Sequence, residues 1–116
     1  MRHLKKGRKF GREKDQRRAL MKSLASSFFM LGRIKTTEAK AKELKRFAEP
    51  FVTRAQNPTS ASIRYLRSFF SDGTVRKLWE QAKGVEGRAG GYTSVIKIGV
   101  RRRDAARMAI IELVKT

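Results

Sequence analysis

The side chains able to do chemistry in this sequence are overwhelmingly of one kind. Between Arg2 and Arg18 stand nine Lys or Arg residues (Arg2, Lys5, Lys6, Arg8, Lys9, Arg12, Lys14, Arg17 and Arg18) against only Glu13 and Asp15. A cluster of this type neutralises phosphates and releases the counterions condensed around a nucleic acid. Other chemistries are poorly provided for. There is no cysteine, which excludes disulfides, thiolate metal sites and cysteine nucleophiles. The lone histidine, His3, has no second imidazole with which to share a metal or relay a proton. The ten carboxylates are spread as singles, with no pair at an obvious two-metal spacing, so a nuclease or other RNA-processing enzyme finds no centre here. We expect no catalysis, no metal, no cofactor and no small-molecule substrate.

The basic N-terminus raises an energetic question. Ordering residues 1–12 costs about 1–2 kcal/mol of backbone entropy per residue. Their only large apolar side chains, Leu4 and Phe10, return roughly 1.5–3 kcal/mol each if fully buried. The segment cannot fold on its own account and reads as an arm that an anionic partner holds. The formal net charge of the chain is +19, with a pI near 11.4. Residues 1–18 contribute +7 (nine bases, two acids) and the rest +12, so the body is basic as well. Such a balance sets the class of partner, not the fold.

The elements that must carry these charges follow from the apolar pattern. Hydrophobic content of 40% in 116 residues suits one domain with a real core. The basic start leads into no continuous apolar run, and the patch Phe28-Phe29-Met30-Leu31 is far short of the roughly 20 apolar residues of a membrane span. Residues 1–12 also lack the amphipathic stripe of a mitochondrial transit peptide. From about Asp15, which is placed to cap, Leu20, Leu24, Phe28 and Leu31 recur at helical steps, with Gly32 as a left-handed stop. RIKTT at 33–37 reads as a short strand, and Thr37 as the cap of a second helix with Ala41, Leu44, Ala48, Phe51 or Val52, and Ala55 on its stripe. Pro50 predicts a kink or break near Ala48–Glu49. After the turn at 57–60, with Ser60 as cap, a third helix carries Ile63, Leu66, Phe69 and Phe70. A fourth, beyond Ser71-Asp72-Gly73, carries Val75, Leu78, Trp79 and Ala82. The glycine-rich loop 84–91 precedes strands at Thr93–Ile98 and Arg107–Val114, joined by a charged connection at 99–104. The expected fold class is α+β: a helix, a strand, three helices and two strands, forming a two-layer domain over 13–116 with a small mixed sheet. The aromatics, Phe28, Phe51, Phe69, Phe70 and Trp79 included, lie on helices and read as core.

Three stretches, MRHLKKGRKFGR, RIKTTEAKAKELKRFAE and GGYTSVIKIGVRRRDAARMAIIELV, closely resemble in order and spacing the signatures of the bacterial large-subunit ribosomal protein seventeen family, over Met1 to about Val114. Three positions depart from the usual pattern: Leu4 where a further base is common, Pro50 where a helix former is, and Arg103 where a glycine precedes the aspartate. The resemblance implies a structural, non-catalytic constituent of the large subunit in the cytoplasm. Its implied partners are 23S-type ribosomal RNA and neighbouring proteins near the peptide exit tunnel, ribosomal protein thirty-two among them.

The residues themselves point to contacts on several surfaces. In the arm these are Arg2, His3, Lys5, Lys6, Arg8, Lys9 and Arg12, with Gly7 and Gly11 allowing close approach to phosphates. Arg17 and Arg18 lie opposite the apolar stripe of the first helix. Arg33 and Lys35 share one face of the first strand while Ile34 takes the other. The hydroxyls of Thr36 and Thr37 suit phosphate or 2′-OH contacts, although Thr37 serves equally as a cap. Lys40 leads the basic residues of the second helix, which Glu38 and Glu43 otherwise lace into a solvated face. The glycine-rich loop fails the tests of a nucleotide-cradling loop, since no Lys-Ser or Lys-Thr follows its glycines. It offers Arg88, Tyr92 and Thr93 instead, Tyr92 either stacking on a base or packing in the core. Lys97, Arg101 and Arg102 complete the set, with Asp104 placed to absorb one arginine of the basic turn. A DNA-compacting protein is the rival reading, but no DNA-binding motif is recognisable.

Overall fold

A computed structural model of the chain describes residues 13–85, 87 and 90–114. The arm, residues 1–12, lies outside these, as do Glu86, Arg88, Ala89 and the last two residues. The first helix, α1 (Lys14–Leu31), starts after Glu13, whose side chain makes no capping bond; Asp15 sits in the first turn instead. Gly32 ends it at φ +82°, and its N–H donates to the Phe28 carbonyl at 2.7 Å, a left-handed stop of the kind glycine supplies without steric cost. Strand β1 (Arg33–Thr37) follows at once. The Thr37 hydroxyl accepts from the Lys40 N–H and so caps α2 (Glu38–Ala55).

Helix α2 passes through Pro50 as one continuous element. Pro50 sits on the exposed face, one turn from exposed Arg46, so the carbonyl that loses its donor faces solvent. On the opposite face Ala48, Phe51, Val52 and Ala55 carry the buried stripe across the proline. Their burial, at roughly 1.5–3 kcal/mol for each large side chain, offsets the missing bond. Thr59, one residue before Ser60, caps α3 (Ser60–Phe69) by accepting from the Ser62 N–H at 3.2 Å. Ser71 does the same for α4 (Asp72–Lys83) through the Thr74 N–H.

The chain then enters β2 (Thr93–Val100) and returns in β3 (Arg107–Leu113). The strand order is β1-β3-β2, and both outer strands run antiparallel to β3, so the sheet is wholly antiparallel rather than mixed. A bulge between Lys97 and Gly99, with Gly99 at φ +110°, lengthens β2 by two residues beyond the predicted end at Ile98.

One face of the sheet is closed by helices. Ala109, Ile111 and Leu113 alternate inward along β3, flanked in register by Thr36 and Ile34 on β1 and by Val95 and Thr93 on β2. Helix α2 touches the other three helices and all three strands, which makes it the centre of the packing. Phe51, 4% exposed, gathers Phe47, Phe69, Phe70 and Tyr65 around it at centroid distances of 5.2, 5.1, 5.0 and 6.0 Å. Phe28 and Phe29 extend this core from α1.

Candidate nucleic-acid interface

Eight of the 29 basic residues (Arg2, Lys5, Lys6, Arg8, Lys9, Arg12, Arg88 and Lys115) and one acid, Glu86, lie outside the described residues. That leaves 21 bases and nine carboxylates in the described body. Helices and strands commit their apolar faces to the core, so the charge is driven outward. Where those charges find partners decides what they can bind.

At least six of these bases pair with a carboxylate among the described residues. Lys42 and Lys97 converge on Glu38, at 3.0 and 3.5 Å from Oε1. The hydrogen bond from Lys42, aided by the positive charge of both lysines, holds the Glu38 carboxyl below the ordinary carboxylate range. Lys97 stands opposite Ala109 on the helix side of the sheet, which explains its reach to the start of α2. Arg46 meets Glu43, Arg67 meets Asp72 and Lys77 meets Glu80, at 3.6, 3.3 and 3.7 Å, all on the surface, where such pairs contribute little.

The tightest pair closes the turn between β2 and β3. Arg101 donates from Nε and Nη2 to the two carboxylate oxygens of Asp104, at 3.0 and 2.8 Å, and Asp104 Oδ1 also accepts from the Ala106 N–H. These donors, Arg101 foremost, lower the Asp104 carboxyl to about 2, and Asp104 in turn raises the Arg101 guanidinium. The left-handed position of this turn is Ala105, at φ +57°. Arg103, which replaces the glycine usual in the family's pattern, therefore occupies no position that needs one.

The other bases are differently placed. Lys14, Arg18, Lys22, Arg33, Lys35, Lys40, Lys45, Arg54, Arg64, Arg76, Lys83, Arg102, Arg103 and Arg107 have no carboxylate within ion-pair distance among the described residues. Lys22 and Arg54 lie over aromatic rings instead, Lys22 at 5.0 Å from the Phe69 centroid and Arg54 at 3.9 Å from that of Tyr65. The rest project from all four helices, from β1 and β3, and from the β2–β3 turn. Clustered like charges without counter-charges repel one another, and a polyanion relieves that repulsion.

The predicted contact residues divide accordingly. Arg18, Arg33, Lys35 and Arg102 are exposed and unpaired; Lys40 is half-buried and unpaired; Arg17 is half-buried. Arg33 and Lys35 share the outer face of β1, opposite Glu112 and Ile110. Thr36 turns toward the helix layer, and Thr37 spends its hydroxyl on the α2 cap. Arg101 and Lys97 are surface residues engaged with Asp104 and Glu38. Two expected contacts are corrected. Tyr92 is 2% exposed, with its hydroxyl donating to Gln56 Oε1 and accepting from Thr53, because the strand entry tucks its ring under α2. Thr93, 4% exposed on the inward face of β2, donates to Glu49 Oε2. Neither is presented to a ligand. The seven arm residues and Arg88 lie outside the described residues. Sequence reading passed over Arg54, Arg64, Arg76, Lys83 and Arg107; on the helices, their helical offset from the apolar stripe was the available signal.

Among the described residues no group of three or more His, Asp or Glu side chains could hold a metal, and no helix is long and apolar enough to cross a membrane. Comparison with known proteins agrees with the resemblance of the signature stretches. Residues 20–114 match the family model of ribosomal protein L17. The chain is 47% identical over 110 residues to the large ribosomal subunit protein bL17 of Natranaerobius thermophilus, covering 93% of this chain and 97% of that protein. It is 43% identical to the protein of the same name from Pelobacter propionicus, over 99% of this chain and 92% of that one. The bL17 protein of Fusobacterium nucleatum is 44% identical, over 98% of this chain and its own full length. Matched from its first helix to its last strand, the chain belongs to the ribosomal protein L17 family, whose members are ribosomal components rather than enzymes.

Proposed function

We propose that this protein is a structural constituent of the bacterial large ribosomal subunit that clamps 23S-type ribosomal RNA, with the basic arm of residues 1–12 reaching between RNA segments and the globular body aiming it. The observation that carries the reading is the surplus of unpaired cations, spread over every helix and two of the strands. A ligand engaging all of them must surround much of the domain, as a folded RNA does and a small anion does not. Ionic contacts to phosphates supply affinity, and the A-form shape of the folded RNA supplies selectivity. Arg2, His3, Lys5, Lys6, Arg8, Lys9 and Arg12 act in the arm. Arg17, Arg18, Arg33, Lys35, Lys40, Arg88 and Arg102 act on the body, and ribosomal protein thirty-two is a neighbour.

Sedimentation of cell extracts through a sucrose gradient tests the assignment, with the protein expected in the large-subunit fraction. Deletion of residues 1–12 is expected to leave thermal unfolding of the body unchanged while weakening rRNA binding and flattening its dependence on salt. A shift of many degrees with an unaltered salt slope would make the arm a structural element of the domain instead.

A further inference from the structure

Between the end of α2, the start of α3 and the outer side of α4 lies a cleft of about 480 Å³ lined by Ala55, Gln56, Pro58, Ile63, Trp79, Ala82 and Lys83. Its size falls within the range of clefts that accept a single small molecule, roughly 300–1,000 Å³. Its walls are mostly apolar, and the polar features are few and specific. Trp79 Nε1 is buried and has no hydrogen-bond partner among the described residues. An indole N–H is a donor only, and no acceptor for it stands among the described residues. Gln56 cannot supply one, because its Oε1 already accepts from Tyr92 while its Nε2 donates to the Val85 carbonyl.

The charge around the cleft is cationic. On α4, Val75, Leu78 and Ala82 face the core, Trp79 stands at the boundary, and Arg76 and Lys83 follow on the solvent side, three residues before and four after the tryptophan. Neither Arg76 nor Lys83 has a carboxylate partner among the described residues. Of the described carboxylates close by in sequence, Glu80 is directed to Lys77 and Asp72 to Arg67. An apolar slot with a tryptophan in its wall, Lys83 in its lining and Arg76 three residues before the tryptophan on the same helix matches an unstacked nucleotide. The base stacks on the indole, and the flanking phosphates meet Lys83 and Arg76. An aliphatic side chain of a protein neighbour would fill the slot but leave both cations unanswered.

From these features we infer that the Trp79 cleft receives one extruded base of the large-subunit RNA, a base-level contact set beside the phosphate contacts of the other faces. This rests on the rRNA-binding reading above.

Trp79 is the single tryptophan of the chain, so its emission reports this site alone. The full-length protein would be titrated with deproteinised large-subunit rRNA and, separately, with an unbroken RNA duplex, which offers charge but no free base. Strong quenching with the rRNA and little with the duplex is expected. Trp79→Leu is expected to weaken rRNA binding by about 5- to 150-fold, the usual loss for one stacked base. Should that variant fail to fold by circular dichroism, Arg76→Gln with Lys83→Gln, both exposed, would carry the test: quenching should then require several-fold more rRNA. Normal salt-dependent rRNA binding with unquenched Trp79 overturns this inference and leaves the proposed function standing. Quenching that appears only on adding a neighbouring ribosomal protein assigns the cleft to a protein side chain and likewise overturns it. No binding to rRNA at all defeats the reading beneath.

Discussion

Replacing Arg18, Lys35 and Arg102 together by glutamine removes three exposed cations, from α1, β1 and the β2–β3 turn, none of which has a carboxylate partner among the described residues. Because they hold nothing in place, each change is expected to alter folding stability by no more than about 0.5 kcal/mol. Binding is another matter. Each phosphate contact contributes about 0.7–0.9 to the slope of log K against log salt, so losing three lowers that slope by about 2–3. Over a fourfold rise in salt the wild-type protein then loses about 20- to 40-fold more affinity than the variant does. Filter binding of labelled large-subunit rRNA between 50 and 200 mM KCl, concentrations over which such slopes are well resolved, measures the difference. Arg101→Gln provides the internal contrast. Its guanidinium is engaged through Nε and Nη2 by Asp104, so this change should move the slope less than Lys35→Gln alone. An unchanged slope in the triple variant, or an equal effect of Arg101 and Lys35, would show that unpaired exposure is not what selects the phosphate contacts.

Phe51→Ala empties the centre of a ring cluster formed with Phe47, Tyr65, Phe69 and Phe70, and should cost about 3–5 kcal/mol in urea unfolding, against about 1 kcal/mol or less for a surface change on α3 such as Arg64→Ala. Gly32→Ala forces a Cβ into a left-handed residue at φ +82°. The added carbon would meet only the flexible Gln81 amide, at 3.5 Å, so the expected loss of about 1–2 kcal/mol is backbone strain, read in the same unfolding assay. The Asp104 carboxyl should titrate by NMR near 2 rather than 3.8, with the Arg101 side-chain N–H signals following the same curve. Since the folded value is the lower one, ordering of the β2–β3 turn is fully present above about pH 4 and is lost as pH falls toward 2. Titration at the ordinary value would mean that the turn is open in solution.

Much of this molecule was legible along the chain, for local reasons. Helical spacing of apolar residues set the helices, since burial of one face outweighs the weak propensities of single residues. Gly32 and Thr37 marked the ends on either side of β1 because a left-handed stop and an oxygen cap act within a few residues of themselves. The excess of Lys and Arg likewise needed no coordinates to name an anionic partner. What stayed hidden depended on contacts between distant segments. Pro50 read as a kink or a break because its missing donor is local, whereas the buried stripe that carries α2 through it without a break is tertiary. Tyr92 could stack on a base or pack in the core, and Thr93 read as a contact; α2 covers both, joining residues 36 to 44 positions apart through Gln56, Thr53 and Glu49. The same holds for the division of the cations. Any lysine can be counted in a sequence, but Lys97 finds Glu38 only because a strand far along the chain passes the start of α2. Composition thus determined the class of partner to be expected, a polyanion. Packing alone decided which charges are already spent inside the domain and which remain for the ligand, because pairing depends on separation in space and not on separation along the chain.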